Sequence, residues 1–323
     1  MINKSFISLL KSGDRKTLAK AITLIESKNI DHRREAEKLI EIILPYTGNS
    51  KRIGISGVTG SGKSTLINFL GLSLIKNGYK VAVLAVDPTS PINGGSLLGD
   101  KTRMEELSME TNSFIRPSPS GNSLGGITTK TREVILLCEA AGYDFVIVET
   151  LGVGQSEHSV HDLVDLFTVI LNPGTGDDIQ GIKKGIIELA DILIINKADG
   201  YLLKQAEITY NDYNQAILIQ NREIPPEVFL LSALKNIGIK KVFDSIELFF
   251  KKNNLNIEKR RKKQSTLWMH QLIEEQIKNI IKNDITLNKE INEYETQINK
   301  GNISPINASK KIVQQIFKIN PLI

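Results

Sequence analysis

The sequence predicts an α/β protein: a mostly parallel sheet flanked by helices, with helical extensions at both ends. Two observations predict it. Within residues 49–250, short β-branched runs alternate with amphipathic segments long enough to cross over a sheet. Such alternation gives parallel strands covered on both faces. Outside that stretch, apolar residues recur only at helical spacing. Three parts are therefore expected: a helical N-terminal extension over 1–48, an α/β domain over 49–250 and a helical C-terminal arm over 251–323.

Taken in order, Gly13-Asp14 reads as a helix start, and Leu18, Ala21, Ile22 and Ile25 as the face that follows. Ala36, Leu39, Ile40, Ile43 and Leu44 form a second such face before Pro45-Tyr46-Thr47-Gly48-Asn49 breaks the pattern. The candidate strands are 52–56, 81–86, 145–149, 166–172, 192–196 and 228–232. Beyond residue 251, Leu267, Trp268, Leu272, Ile273, Ile277, Ile280 and Ile281 outline one apolar stripe. It is either core or a seam between two copies. So little chain remains to cover it that a seam, and hence a homodimer, is expected. Ser304-Pro305 supplies an N-cap and a first-turn proline for a last helix, whose apolar face is Ala308, Ile312, Val313, Ile316 and Phe317.

Composition narrows the function classes. Of 323 residues, 41% are apolar and 24% charged, which fits a globule with a real core and excludes wholesale disorder. The net charge, 41 − 36 = +5, is too mild to argue a nucleic-acid binder. The one cysteine, Cys138, excludes an internal disulfide and any zinc site needing two thiols; among Leu136, Leu137 and Ala140 it reads as core filler. No window reaches the ~18 continuous apolar residues of a membrane span, and the basic start lacks a signal-peptide core. The expectation is a cytoplasmic protein with neither nucleic-acid nor membrane partners. The basic run Lys259-Arg260-Arg261-Lys262-Lys263, without interleaved aromatics, reads as a solvated helix face. His158 and His161 share a helical face and read as solvated in preference to metal-binding.

Gly57-Val58-Thr59-Gly60-Ser61-Gly62-Lys63-Ser64-Thr65 fits G-x-x-x-x-G-K-[ST] between a strand and an amphipathic helix that Gly78 can end. Glycines let successive backbone N–H groups turn toward phosphate oxygens, and the helix N-terminus adds its positive end. Lys63 should reach the β- and γ-phosphates, and the Ser64 hydroxyl should bind Mg²⁺.

About 130 residues later a strand runs into Asn196-Lys197-Ala198-Asp199, the N-K-x-D pattern of guanine readers. Asp199 can accept two hydrogen bonds from guanine, whereas adenine would leave the carboxylate unpaired. The Lys197 stem can lie along the base, and Asn196 can brace the loops. Ser232-Ala233-Leu234 closes the next strand, with the Ala233 N–H expected to meet guanine O6. Three acids lie near the phosphate site, two of them ending strands: Asp87, Asp100 and Glu149 are candidates for holding Mg²⁺ and its waters. Gly152 can offer its N–H to the γ-phosphate, so that losing that phosphate frees the segment. Gln155 is either the residue that orients the attacking water or a polar residue facing a partner.

GVTGSGKST, DPTSPINGGSLLGDKTRM, FIRPSPSGNSLGGITTKTRE, ETLGVGQSE, NPGTGDDIQGIKKG, NKAD and SAL follow one another in order, between GDRKTLAKAITLIES and KGNISPINASKKIV. Together they resemble the MeaB/ArgK family of P-loop GTPases, the MMAA-like proteins included, over essentially the whole chain. The resemblance implies a SIMIBI-type P-loop NTPase fold, with 49–250 as the GTPase domain and 251–323 as a dimerisation arm. It implies slow hydrolysis of GTP to GDP with Mg²⁺, and a partner: an adenosylcobalamin-dependent acyl-CoA mutase of the methylmalonyl-CoA mutase type, whose cofactor loading and protection the GTPase gates. It places Asp100 in a first switch, 152–157 in a second and 172–183 in a third that faces the mutase. Leu151, Asp177-Asp178, His158 and His161 depart from the pattern without touching the nucleotide residues.

No arginine is evidently placed as a finger in cis, so a partner should accelerate hydrolysis. The chain carries no Asp-x-His-x-x-Gly element, so any cobalamin should belong to the partner. Competing readings are a P-loop kinase passing the γ-phosphate to a protein (an amino-acid transport system kinase), a metal-insertion GTPase and a scaffold. Asp199 argues against the kinase, the lack of a Cys-x-Cys motif against metal insertion, and the nucleotide set against the scaffold.

Overall fold

The computed structural model describes residues 2–27, 29–86, 104–118, 124–150, 160–174, 184–219 and 224–317. They form two compact units, Met1–Gln264 and Ser265–Ile323.

The first unit opens with three helices, α1 (Lys4–Lys11), α2 (Arg15–Glu26) and α3 (Ile30–Ile43). Asp14 caps α2, its carboxylate accepting from the Thr17 N–H at 2.7 Å and the Thr17 hydroxyl at 2.6 Å. The expected face of α2, Leu18, Ala21, Ile22 and Ile25, is fully buried. On α3, Ala36, Leu39 and Ile43 are buried, but Leu44 is exposed, because the chain has already passed into the short turn Leu44–Tyr46.

The α/β part follows as β1 (Lys51–Gly57), α4 (Lys63–Lys76), β2 (Val81–Val86), α5 (Glu105–Met109), β3 (Ser113–Ser118), α6 (Leu124–Ala140), β4 (Phe145–Thr150), β5 (Leu166–Leu171), α7 (Lys184–Ile187), β6 (Ile192–Ile195), α8 (Leu203–Ile219), β7 (Glu227–Leu230) and α9 (Ile239–Lys252). The seven strands make one sheet in the order β3-β2-β4-β1-β5-β6-β7, and every pairing is parallel. All six expected strands are present within one or two residues of their expected ends. β3 was not expected. It lies at the sheet edge, pairs with β2 alone, and carries Arg116 and Pro117, so it lacks the apolar run of a buried strand.

Buried side chains of β1, β2, β4, β5 and β6 pack with Leu66, Ile67, Leu70 and Leu74 of α4 and with Val242, Phe243 and Ile246 of α9. The strand order turns about β1. The chain leaves it toward β2 and β3, returns at β4, then crosses to β5 on its other side. In open α/β sheets such a switch point leaves a crevice at the carboxyl ends of the strands, where ligands bind. Helices α2 and α3 pack on α6, and Arg33 pairs in bidentate fashion with Glu133 at 2.7 and 2.8 Å.

The basic run is not wholly a solvated face. It lies in α10 (Asn254–Asn283). Arg261 donates to both carboxylate oxygens of the fully buried Asp165, at 2.7 and 2.6 Å. It also donates to the carbonyl oxygens of Gly48 and Ser50. Arg260 meets Asp191 at 3.3 Å. Only Lys259, Lys262 and Lys263 are exposed. The opposing acids come from strand approaches more than 60 residues away, so a search for aromatics within the run could not reveal them. Cys138 is buried, and burial pushes its thiol pKa up. His161 packs edge-on against Phe167 with its Nδ1 3.2 Å from Asp162; His158 lies outside the described residues.

The second unit contains α11 (Ile285–Asn299) and α12 (Pro305–Phe317), which pack together. Leu287 and Ala308 are buried there. Asp284 caps α11, and Ser304 accepts the Asn307 N–H at the start of α12, as its sequence predicts. From the apolar stripe, Leu267, Ile273 and Ile280 are exposed. Among the described residues no helix is long and apolar enough to cross a membrane.

Candidate functional site

The crevice at the carboxyl ends of β1, β4 and β6 holds a cavity of about 720 Å³ lined by Thr59, Gly60, Gly62, Lys63, Ser64, Thr65, Glu149, Asn196, Lys197, Asp199, Ala233 and Leu234. Segments from four distant parts of the sequence meet there. Gly57, Ser61 and Ser232 stand just behind the wall: Ser61 and Ser232 are fully buried.

The turn after β1 is built by glycine. Gly60 and Gly62 have φ of 78° and 92°, a region that L side chains enter at a cost. A Cβ on Gly62 would lie 2.3 Å from Asn196 Nδ2, so backbone and side chain approach as closely as the missing carbon allows. Lys63 begins α4, and its Nζ donates to the carbonyl oxygens of Gly57 at 2.8 Å and Val58 at 3.1 Å. That holds the ammonium over the turn whose N–H groups and helix end attract anions.

Ser64 and Glu149 face each other. The Ser64 hydroxyl donates to Glu149 Oε1 at 2.9 Å, and both side chains are buried. Two hard oxygen donors this close, beside a glycine-built turn at a helix N-terminus, suit Mg²⁺, which takes one or two protein oxygens and completes its shell with phosphates and water. Behind them Thr150 donates to Ser56 at 3.0 Å, tying β4 to β1.

Asn196 is the keystone of the base side. Its Nδ2 donates to the Ser61 carbonyl oxygen at 2.7 Å, and its Oδ1 accepts the Ala233 N–H at 2.9 Å. One amide thus joins the phosphate turn, the end of β6 and the loop after β7. The Ala233 N–H expected for guanine O6 is therefore already donated, so an arriving O6 would share it with Asn196 or displace it. Lys197 has φ of 60°, a left-handed bend that turns the chain out of β6. Asp199 starts the one-turn segment Gly200–Leu202, and its carboxylate makes no cap bond there.

Asp87, Asp100, Gly152 and Gln155 lie outside the described residues, as does 175–183 of the third switch-like segment. Three lining residues escaped the sequence reading: Gly200, Tyr201 and Leu202. Their one signal was adjacency to Asp199.

A family model described as "Methylmalonyl Co-A mutase-associated GTPase MeaB" matches residues 18–286. The chain belongs to the MeaB family. As a MeaB-family protein it is a P-loop GTPase. Relatives extend over most of the chain. GTPase ArgK of Escherichia coli is 46% identical over 290 residues, 86% of this chain and 87% of that one. The mouse (Mus musculus) "Methylmalonic aciduria type A homolog, mitochondrial" is 39% identical over 328 residues, covering 97% of this chain and 79% of that protein. A crystal structure of "LAO/AO transport system kinase" superposes with a TM-score of 0.77 at 35% identity, covering 98% of this chain and 99% of that one.

Proposed function

We propose that this GTPase binds GTP with Mg²⁺ in the described cavity, hydrolyses it slowly to GDP, and serves as chaperone and gate for an adenosylcobalamin-dependent acyl-CoA mutase of the methylmalonyl-CoA mutase type, controlling its cofactor loading and protection. One observation carries the chemistry: Asn196 joins the phosphate turn at Ser61 to the Ala233 loop beside Asp199. A site tied in this way can read base and phosphates of one nucleotide together. The mutase partner rests on the family's description and on the name of the mouse relative.

In this reading the N–H groups of 57–65 and Lys63 hold the phosphates and balance charge on the transferring phosphoryl group, which is largely an electrostatic task. Ser64 and Glu149, with Asp87 and Asp100, would hold Mg²⁺, which would supply positive charge against that building on the phosphate oxygens. Gly152 senses the γ-phosphate, and Gln155 orients water. Asn196, Lys197 and Asp199, with Ser232, Ala233 and Leu234, select guanine. The exposed stripe of Leu267, Ile273 and Ile280 makes a homodimer seam, and the setting is cytoplasmic.

A pull-down from the source cell with a nonhydrolysable GTP analogue tests the partner. Recovery of an acyl-CoA mutase subunit supports it; absence of any such subunit removes the partner and leaves the GTPase standing. The name of the similar crystal structure favours a second reading, a kinase. Free phosphate as the product, with none on any protein, decides for hydrolysis.

A further inference from the structure

The base side of the cavity carries an aromatic residue with no other evident task. Tyr201 is 92% exposed, yet it lines the same cavity as Lys63 and Asp199. It is the one aromatic among the described residues of that wall. Leu234, 74% exposed, lines it from the loop after β7. Two large apolar groups thus stand largely in water at the wall of the pocket, one on each base-side loop.

Selecting guanine makes a demand that Asp199 alone does not meet. A carboxylate discriminates between bases only where water is kept from replacing the missing hydrogen bonds. Asp199 is itself half-exposed, and the neighbouring residues Gly200 and Ala233 bring little bulk. Tyr201 sits in the same single turn as Asp199, closed by the Leu202 N–H donating to the Asp199 carbonyl oxygen at 3.2 Å. The turn that places the carboxylate therefore also places the ring. A planar purine gives that ring a stacking partner, which water does not.

We propose that Tyr201 covers the purine face, with Leu234 adding apolar cover from the loop after β7, and that this cover makes the Asp199 contact selective. The inference rests on the nucleotide reading of the cavity and adds a specificity residue to it.

Calorimetric titration of GDP with Mg²⁺ into the full chain, comparing wild type with Tyr201→Ala and Tyr201→Phe, tests it. Tyr201→Ala should weaken GDP binding about tenfold, the scale of one lost base–aromatic stack. Tyr201→Phe keeps the ring face and should stay within about twofold of wild type. In GTP turnover KM should rise for Tyr201→Ala while kcat holds, because the ring lies away from the phosphates. The thermal midpoint without nucleotide should not move, since the exposed ring contributes little to the core. Unchanged GDP affinity in Tyr201→Ala overturns the proposal, as does an equal loss in both variants, which would implicate the hydroxyl. A wild-type protein that takes up no GDP would instead sink the nucleotide reading itself.

Discussion

Asn196 Nδ2 donates to the carbonyl oxygen of Ser61 across 2.7 Å, joining positions 135 apart in sequence. The same amide accepts the Ala233 N–H. Asn196 is 2% exposed, so water does not replace either bond. Asn196→Ala should leave a buried carbonyl and a buried N–H without this partner and cost about 1–3 kcal/mol of stability. Both loops it joins should also loosen, lowering GDP affinity. Urea denaturation and calorimetry measure the two effects; equal stability and affinity would show that the bridge is dispensable.

Gly62→Ala attacks the same junction from the other side. The new Cβ would fall 2.3 Å from Asn196 Nδ2 at a φ of 92°. The left-handed conformation alone costs about 1–2 kcal/mol, and the clash adds to it. Nucleotide binding should drop by more than about tenfold, read as GDP affinity. Wild-type affinity would mean that the turn re-forms in another shape.

Lys63→Ala removes the cation that the Gly57 and Val58 carbonyl groups hold over the phosphate turn. GTP turnover should fall by at least about 10²-fold, the usual loss when one preorganised charge-stabilising donor is deleted. Phosphate release over time measures it, and retained activity would undo the assignment. In the same assay Gln155→Ala should slow turnover; if basal and partner-stimulated rates both hold, Gln155 does not orient the water.

Arg261→Met should destabilise the first unit by about 3 kcal/mol, because it strands the carboxylate of Asp165 in the protein interior. Asp165 would keep the Arg52 N–H, 2.8 Å away, as one remaining donor. Adding Asp165→Asn removes the stranded charge and should recover part of the loss. Denaturation midpoints of the single and double variants report it, and strictly additive losses would mean that the pair is uncoupled.

Asp14 supplies the pH test. The Thr17 hydroxyl and N–H hold its carboxyl pKa below the ordinary 3.8. A carboxyl with a depressed native pKa stabilises the fold fully above 3.8, and that contribution is lost as pH falls through the lower native value. Asp14→Ala should therefore melt below wild type at pH 7, and the gap should narrow as pH drops below 3.8. A gap that stays constant down to pH 2 would show that the cap acts without its charge.

Much of this molecule was legible because the rules involved are local. A β-branched run bounded by turn residues becomes a buried strand wherever it lies, and six strands were placed that way. Ser304-Pro305 and Gly13-Asp14 mark helix starts because capping needs only neighbouring atoms. The glycine spacing of 57–65 and the pattern Asn196-Lys197-Ala198-Asp199 carry their chemistry in the residues themselves.

Other features depend on which distant segments meet. β3 is a strand because β2 offers it an open edge, although Arg116 and Pro117 lack a strand's texture. Arg260 and Arg261 look like solvent charges until Asp191 and Asp165 close on them. The Ala233 N–H seems free for a base until Asn196 takes it, and Tyr201 is one more surface tyrosine until the crevice forms beside it. Propensity and spacing act over a few residues, so the chain by itself determined its elements and its nucleotide vocabulary. Pairing of buried charges and hydrogen bonds acts across space, so only the folded sheet decided which groups are spent holding the site together and which still face a ligand.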